Sequence, residues 1–285
     1  MPSNNQLLNG AAVRAQIGSG LLWATSDPGT GTLPSNRIMT WGQFFSYIKN
    51  DGSNAYSSVY CPTWANMVAH RVLKYSNYSA SFHGLGAIAQ TGTFSQPNTF
   101  TTECWVKIPS SSGAYLSHFD TGNYTGWTLF TRTSGSGFNF GFGYVDGGSV
   151  GHQVYENTVR SYGTWYHTAL TGSGIGQSLL FYVNGTQVVS ASSVYGSAAF
   201  GSFELAGDPN YGGMACSIDE VRYWNVVRTQ AQIQGSMSVS ADSTMLALSS
   251  LINCWQLENS WAASKGSYNL SSNSGSNTFT SDTPI

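Results

Sequence analysis

Along residues 98–108 apolar and polar positions alternate. Phe100, Cys104, Val106 and Ile108 fall on one side, and Thr101, Glu103, Trp105 and Lys107 on the other. A period of two belongs to a β-strand with two different faces. Pro109 and the run Ser110-Ser111-Ser112-Gly113 end it, because proline cannot donate to a ladder. Short strand-like stretches then follow at 114–119, 126–133, 138–145 and 177–183, with glycine-rich turns between them. In 138–144 an aromatic stands at every second place (Phe138, Phe140, Phe142, Tyr144), which predicts one aromatic row on one sheet face. Residues 177–183 run into Asn184-Gly185, a strong signal for a two-residue type I′ hairpin. Short strands at regular spacing, bounded by such turns, predict a mainly β chain built as a two-sheet antiparallel sandwich.

The stretch 213–225 organises the rest. Met214, Cys216 and Ile218 alternate, and the pattern resumes one place late at Val221 and Tyr223. One surplus residue at Asp219-Glu220 predicts a β-bulge; the other reading is a Glu220 that points inward and is paired. Beyond Asn225, residues 229–233 read as a short helical turn with Thr229 as its N-cap.

Residues 1–70 do not carry the sandwich pattern. They predict a small irregular arm with one short helix over 41–49, for which Thr40 suits the N-cap and Gln43 the N3 position of a capping box. Trp41, Phe44, Phe45 and Ile48 share one face of that helix. These groups must cover something, either the chain's own sandwich or a partner subunit, and they are the candidate assembly residues. The expected organisation is therefore 1–70 as an assembly or anchoring arm, 71–259 as the sandwich, and 260–285 as a polar tail or edge strand.

The stretch G-x-x-x-x-I-D-E-V-R-Y-W-N at 213–225 resembles the closing segment of laminin-G-like, concanavalin A-like jelly rolls. Other segments resemble that family in the same order: Phe82-His83-Gly84, then 100–107, Trp165-Tyr166-His167, the hairpin at 180–185, and 251–257. The resemblance covers about residues 74–259 and implies a jelly-roll sandwich; function on such folds is set site by site. Many relatives carry a rim calcium, but His83 stands where their opening motif has a carboxylate. Asp120, Asp146 and Asp208 are scattered, so no metal ligand set is assigned; no cofactor is the expectation, with a rim calcium left as the alternative.

Composition narrows the chemistry. Net charge is −2, only 8% of residues are charged, and no Lys/Arg run exists, which speaks against a nucleic-acid partner. Aromatics at 14% are too many for a generally disordered chain. No stretch approaches the ~20 apolar residues of a membrane helix, and the start of the sequence lacks the pattern of a signal peptide. Cys61, Cys104, Cys216 and Cys254 form no C-x-x-C pair; Cys104, Cys216 and Cys254 lie in strand patterns and are expected to be buried free thiols, with a Cys104–Cys216 bridge left open.

No hydrolase pattern E-x-D-x-x-E, G-x-S-x-G elbow or H-E-x-x-H is present. Adjacent Asp219 and Glu220 would point to opposite sides of a regular strand. Glycan binding remains, because sugars stack on aromatics beside neutral polar groups; Trp127, Tyr144, Tyr155 and Tyr211 are its candidates. The sequence thus predicts a non-enzymatic virion structural or adhesion protein, such as a phage head-decoration, head-fibre or tail-fibre subunit at the virion surface. Its expected partners are further copies of itself (a trimer is the guess), other virion proteins and host-surface glycans. The alternative is an extracellular, exported lectin module.

Overall fold

The computed structural model describes residues 7–8, 39–40 and 77–284, apart from 85, 147–148, 175, 193–199, 209–212 and 274–276. The chain divides into two units, Met1–Lys74 and Tyr75–Ile285. In the first, β1 (Leu7–Leu8) pairs antiparallel with β2 (Met39–Thr40). The helix predicted over 41–49, with Trp41, Phe44, Phe45 and Ile48, lies outside the described residues.

The second unit is a sandwich of two eight-stranded sheets. Its strands are β3 (Ser79–Phe82), β4 (Ala89–Gln90), β5 (Phe94–Ser95), β6 (Phe100–Lys107), β7 (Ala114–Asp120), β8 (Thr125–Ser134), β9 (Gly137–Val145) and β10 (Gly151–Tyr155). There follow β11 (Trp165–Gly172), β12 (Leu179–Val183), β13 (Thr186–Ala191), β14 (Phe200–Leu205), β15 (Cys216–Trp224), β16 (Leu251–Trp255), β17 (Ser271–Ser272) and β18 (Thr278–Thr280). One sheet runs β10-β9-β8-β7-β14-β4-β17, with β5 on β14; the other runs β13-β12-β11-β6-β15-β3-β18, with β16 on β15. The named pairs in both sheets are antiparallel. Residues 260–285 thus add a strand to each sheet: β17 pairs with β4, and β18 with β3.

The core between the sheets is aromatic. The row Phe138, Phe140, Phe142 and Tyr144 points into it, meeting Tyr166 and Phe181 from the opposite sheet. Phe100, Cys104, Val106 and Ile108 are fully buried there, as their alternation requires. Cys104, Cys216 and Cys254 are buried free thiols, and burial pushes Cys104 up to about 12, so they behave as small apolar groups.

The bulge falls where the phase slips. Asp219 stands opposite Trp105 and Arg222 opposite Glu103, so Glu220 and Val221 together face the one position of Cys104. Glu220 takes φ 49° to turn the extra residue. The paired-Glu220 reading holds as well. Its carboxylate accepts from Arg222 Nη2 at 2.9 Å and from the Ala241 amide at 3.0 Å, and it bonds the Ser240 hydroxyl.

This cluster lies on the outer face of the β6 sheet, under two short helices, α1 (Gln230–Ser236) and α2 (Ser243–Ala247). Thr229 caps α1, and Gln232 completes the capping box. Glu103, Glu220, Arg222 and Arg228 are buried two against two. Arg228 Nη1 donates to Glu103 at 2.6 Å, and Trp224 Nε1 donates to it at 2.9 Å. The guanidinium of Arg222 also donates to the carbonyls of Ser236 and Val239. The charges therefore tie the 226–242 cap to the sheet. Removing one partner leaves a buried charge uncompensated, which costs on the order of 3–5 kcal/mol.

Candidate functional site

The outer face of the other sheet carries a groove. Because Trp127, Leu129 and the β9 aromatics point into the core, Thr128, Phe130 and Arg132 of β8 and Gly141 and Gly143 of β9 point away from it. On β10, Gln153 stands opposite Gly143 and Tyr155 opposite Gly141, which puts both side chains on this outer face. The two glycines form its floor. A Cβ on Gly141 would come within 2.7 Å of the Tyr155 ring and 3.0 Å of the Phe130 ring, so the rings sit directly on bare backbone. Phe130 and Tyr155 meet at 5.0 Å between centroids.

Two cavities lie to either side of Phe130 and Gln153, which line both. The first, of about 200 Å³, is bounded by Phe119, Tyr124, Thr128, Tyr144, His152 and Asp208. The second, of about 250 Å³, is bounded by Ser112, Thr131, Arg132 and Tyr155.

The wall of the first cavity is built by the turn after β7. Asp120 Oδ1 accepts from the amides of Gly122 at 2.9 Å and Asn123 at 3.1 Å, and Oδ2 accepts from Asn123 Nδ2 at 2.7 Å. The Asn123 side-chain bond, with these amides, holds the Asp120 carboxyl below its ordinary value. This turn forces Tyr124 to φ 52°, a strained conformation for a bulky residue. Tyr124 is 43% exposed and packs edge-on against Phe119 at 5.5 Å.

At the same end, Asp208 is 2% exposed and accepts from the Thr128 hydroxyl. Asp146 Oδ2 lies 2.7 Å from His152 Nε2, and Asp146 Oδ1 accepts from the Val150 amide at 2.9 Å. At the other end, the Arg132 guanidinium lies 4.0 Å from the centroid of the Tyr155 ring. The groove is therefore acidic toward Asp208 and cationic toward Arg132.

The four residues predicted for glycan contact separate. Tyr155 lines the Arg132 end of the groove, half-buried. Tyr144 points inward at 8% exposure, stacks on His152 at 5.1 Å, and is among the residues lining the first cavity. Trp127 is fully buried, stacked on Phe100 at 5.6 Å, and presents no ring to a ligand. Its place on β8 puts it on the core side, which closeness to a turn could not reveal. Tyr211 lies outside the described residues. The sequence reading missed Tyr124, Phe130, Arg132 and Gln153. The parity of β8 carried the signal for Phe130 and Arg132, since Trp127 and Leu129 already claim the core. His83 is exposed, 3.1 Å from the hydroxyl of Thr278 on β18.

The sequence matches the model of the family described as the concanavalin A-like lectin/glucanases superfamily over residues 84–234, more than half of the chain, and the protein belongs to that family. Its fold is similar to that of a Bacteroides ovatus protein inferred to bind carbohydrate. The two share 18% identity at a TM-score of 0.53, over 73% of this chain and 60% of the other. It is also similar to a heptameric SAP-like pentraxin from Limulus polyphemus, with 16% identity and a TM-score of 0.50, over 69% of this chain and 96% of that one. The chain thus spans about 60% of the length of the Bacteroides protein. No curated protein matches it. Among the described residues no helix is long and apolar enough to cross a membrane.

Proposed function

We propose that the protein is a non-enzymatic adhesion protein that binds glycans in the groove on the outer face of the β7–β10 sheet. The observation that carries this is the placement of Tyr124, 43% exposed, and Tyr155, half-buried, at two cavities along the groove that share the edge of the buried Phe130, among the polar groups of Thr128, Gln153 and Ser112. Sugar rings present apolar faces and hydroxyl edges, and such a groove meets both. The carboxylates on this face are held by neighbours: Asp208 by the Thr128 hydroxyl, Asp146 against His152, and Glu204, in register with Thr128 through Ser117, by the Ser202 hydroxyl. Glu103 and Glu220 lie on the other sheet, buried and bound to arginine.

The finer reading is a subunit of a virion surface, with residues 1–70 as the assembly arm. It is supported by the low charge and by the helix face that the sequence predicts for Trp41, Phe44, Phe45 and Ile48. A secreted lectin module is the second reading, supported by the family and the groove. Both readings place the sandwich outside a cell.

A glycan array followed by calorimetry tests the groove. Tyr124→Ala is expected to weaken the best neutral ligand by about tenfold, the ~1.4 kcal/mol of one lost ring contact. Mass spectrometry of the bound glycan is expected to find no cleavage. An unchanged affinity in Tyr124→Ala would remove the groove as the site, and released product would make the protein a hydrolase.

A further inference from the structure

We infer that the cavity beside Arg132 is a subsite for an anionic sugar, one bearing a carboxylate or a sulfate; this rests on the groove being the glycan site. The Arg132 guanidinium is exposed and stacked over the Tyr155 ring at 4.0 Å. A cation held over an aromatic face is partly ordered before a ligand arrives, so less side-chain freedom is lost when its N–H groups bond one. Among the described residues no carboxylate pairs with it; the Tyr155 ring is its contact.

The neighbouring polar groups are set the same way. The Tyr155 hydroxyl donates to Gln153 Oε1 at 3.0 Å, which leaves the amide N–H groups of Gln153, a residue lining both cavities, outside that bond. The Thr133 hydroxyl donates to Ser112 Oγ at 3.3 Å, leaving the Ser112 proton to turn outward. Arg132 is the charged residue among those lining this cavity, so a pocket rich in donors carries one positive charge at its edge. The nearby acids sit toward the other cavity: Asp208 lines it, Asp146 lies against His152 of its wall, and Glu204, in register with Thr128, interacts with Asp208. An oligosaccharide with an acid group would therefore lie in one direction, the anion toward Arg132. Carboxylate and sulfate share the in-plane oxygen pairs that a guanidinium fork meets.

The experiment measures affinities of the full chain for matched pairs: sialyllactose and lactose, tri-galacturonate and its carboxyl-reduced form, and 6-sulfated and unmodified lactose. The acidic member of at least one pair is expected to bind about tenfold tighter, in line with a charge-assisted hydrogen bond. That gap should shrink as salt rises. Arg132→Gln is expected to bring the acidic-to-neutral ratio to about one, and Arg132→Lys to restore part of it, because a point charge lacks the fork. The sialyl and galacturonate arms against the sulfate arm identify which anion is taken. Wild-type protein that binds neutral and acidic members equally would overturn the inference while the groove reading stands. A ratio that survives in Arg132→Gln would do the same. Failure to bind any member would remove both.

Discussion

Two histidines mark where burial decides chemistry at the scale of single residues. His118 is wholly inside the core. Its Nε2 faces the carbonyls of Phe94 at 3.1 Å and Gly201 at 3.2 Å, which makes that nitrogen the donor. Nδ1 is then left to accept from the Tyr223 hydroxyl at 3.0 Å. His167 lies 3.6 Å from Glu103, with Arg222 and Arg228 beyond. Burial pushes both imidazoles down from 6.5 to about 4; at His167, Glu103 opposes the shift while the arginines add to it. Between these values the unfolded chain holds protons that the folded one does not. Stability from these groups is thus complete above pH 6.5 and is lost as pH falls toward 4. The loss is at most about 1.4 kcal/mol per pH unit for each group. Glu204 works the other way, because burial raises its carboxyl and protonation relieves it. Urea denaturation at pH 7, 5.5 and 4.5 should show the fall, and the NMR signals of both rings should stay in the neutral form down to about pH 4. A ring titrating near 6.5 would remove that residue from the account.

The β12–β13 hairpin shows at the scale of elements which signals a sequence carries. Asn184 and Gly185 adopt φ 49° and 71°, and Val183 pairs directly with Thr186. A type I′ turn demands this positive φ at both central residues. Asn184 also ties the hairpin to β11: its amide donates to the His167 carbonyl at 2.8 Å, and its Oδ1 accepts from the His167 amide at 2.9 Å. Asn184→Gly keeps the backbone conformation and loses only the side-chain bond, a cost of about 1 kcal/mol. Asn184→Pro loses the donor and the positive φ together and should cost about 3 kcal/mol or more. Ser111→Ala, in a loop, should change little. Melting temperatures falling in the order Ser111→Ala, Asn184→Gly, Asn184→Pro are expected, and equal values would refute the role of the turn.

Such local rules made the hairpin, the bulge at Glu220, the α1 cap and the β9 aromatic row readable beforehand. α2 was not, because five residues carry too little period to be seen, although Asp242 caps it by accepting from the Met245 amide at 2.8 Å. The groove was only partly readable. Tyr155 came from its loop-side position, but the pairing of Arg132 with Tyr155 depends on the register of three strands, which no short motif states.

For the whole molecule, the division at Lys74 and Tyr75 makes a direct prediction. Among the described residues the sandwich core, from Ala80 to Leu270, is drawn from the second unit, and so is the charged cluster under α1 and α2. The two sheets thus close on each other within that unit, so a chain cut to residues 75–285 should fold by itself. Its thermal unfolding is expected to be cooperative, and its groove should bind the same glycans as the full chain. Trp41, Phe44, Phe45 and Ile48, for which the sequence predicts one shared helix face, leave with the removed segment. Hiding such a face from water is worth several kcal/mol at ~25 cal/mol per Å², enough to favour association. Closed symmetric oligomers are the usual outcome for one self-complementary patch. If residues 1–70 are the assembly arm, the full chain is oligomeric by light scattering while the shortened chain is monomeric and still binds glycan. Substituting Phe44 and Phe45 by serine in the full chain should give the same monomer without shortening it. A shortened chain that keeps the oligomeric state of the full one would move the subunit contact onto the sandwich, and a shortened chain that fails to fold would show that the two units depend on each other.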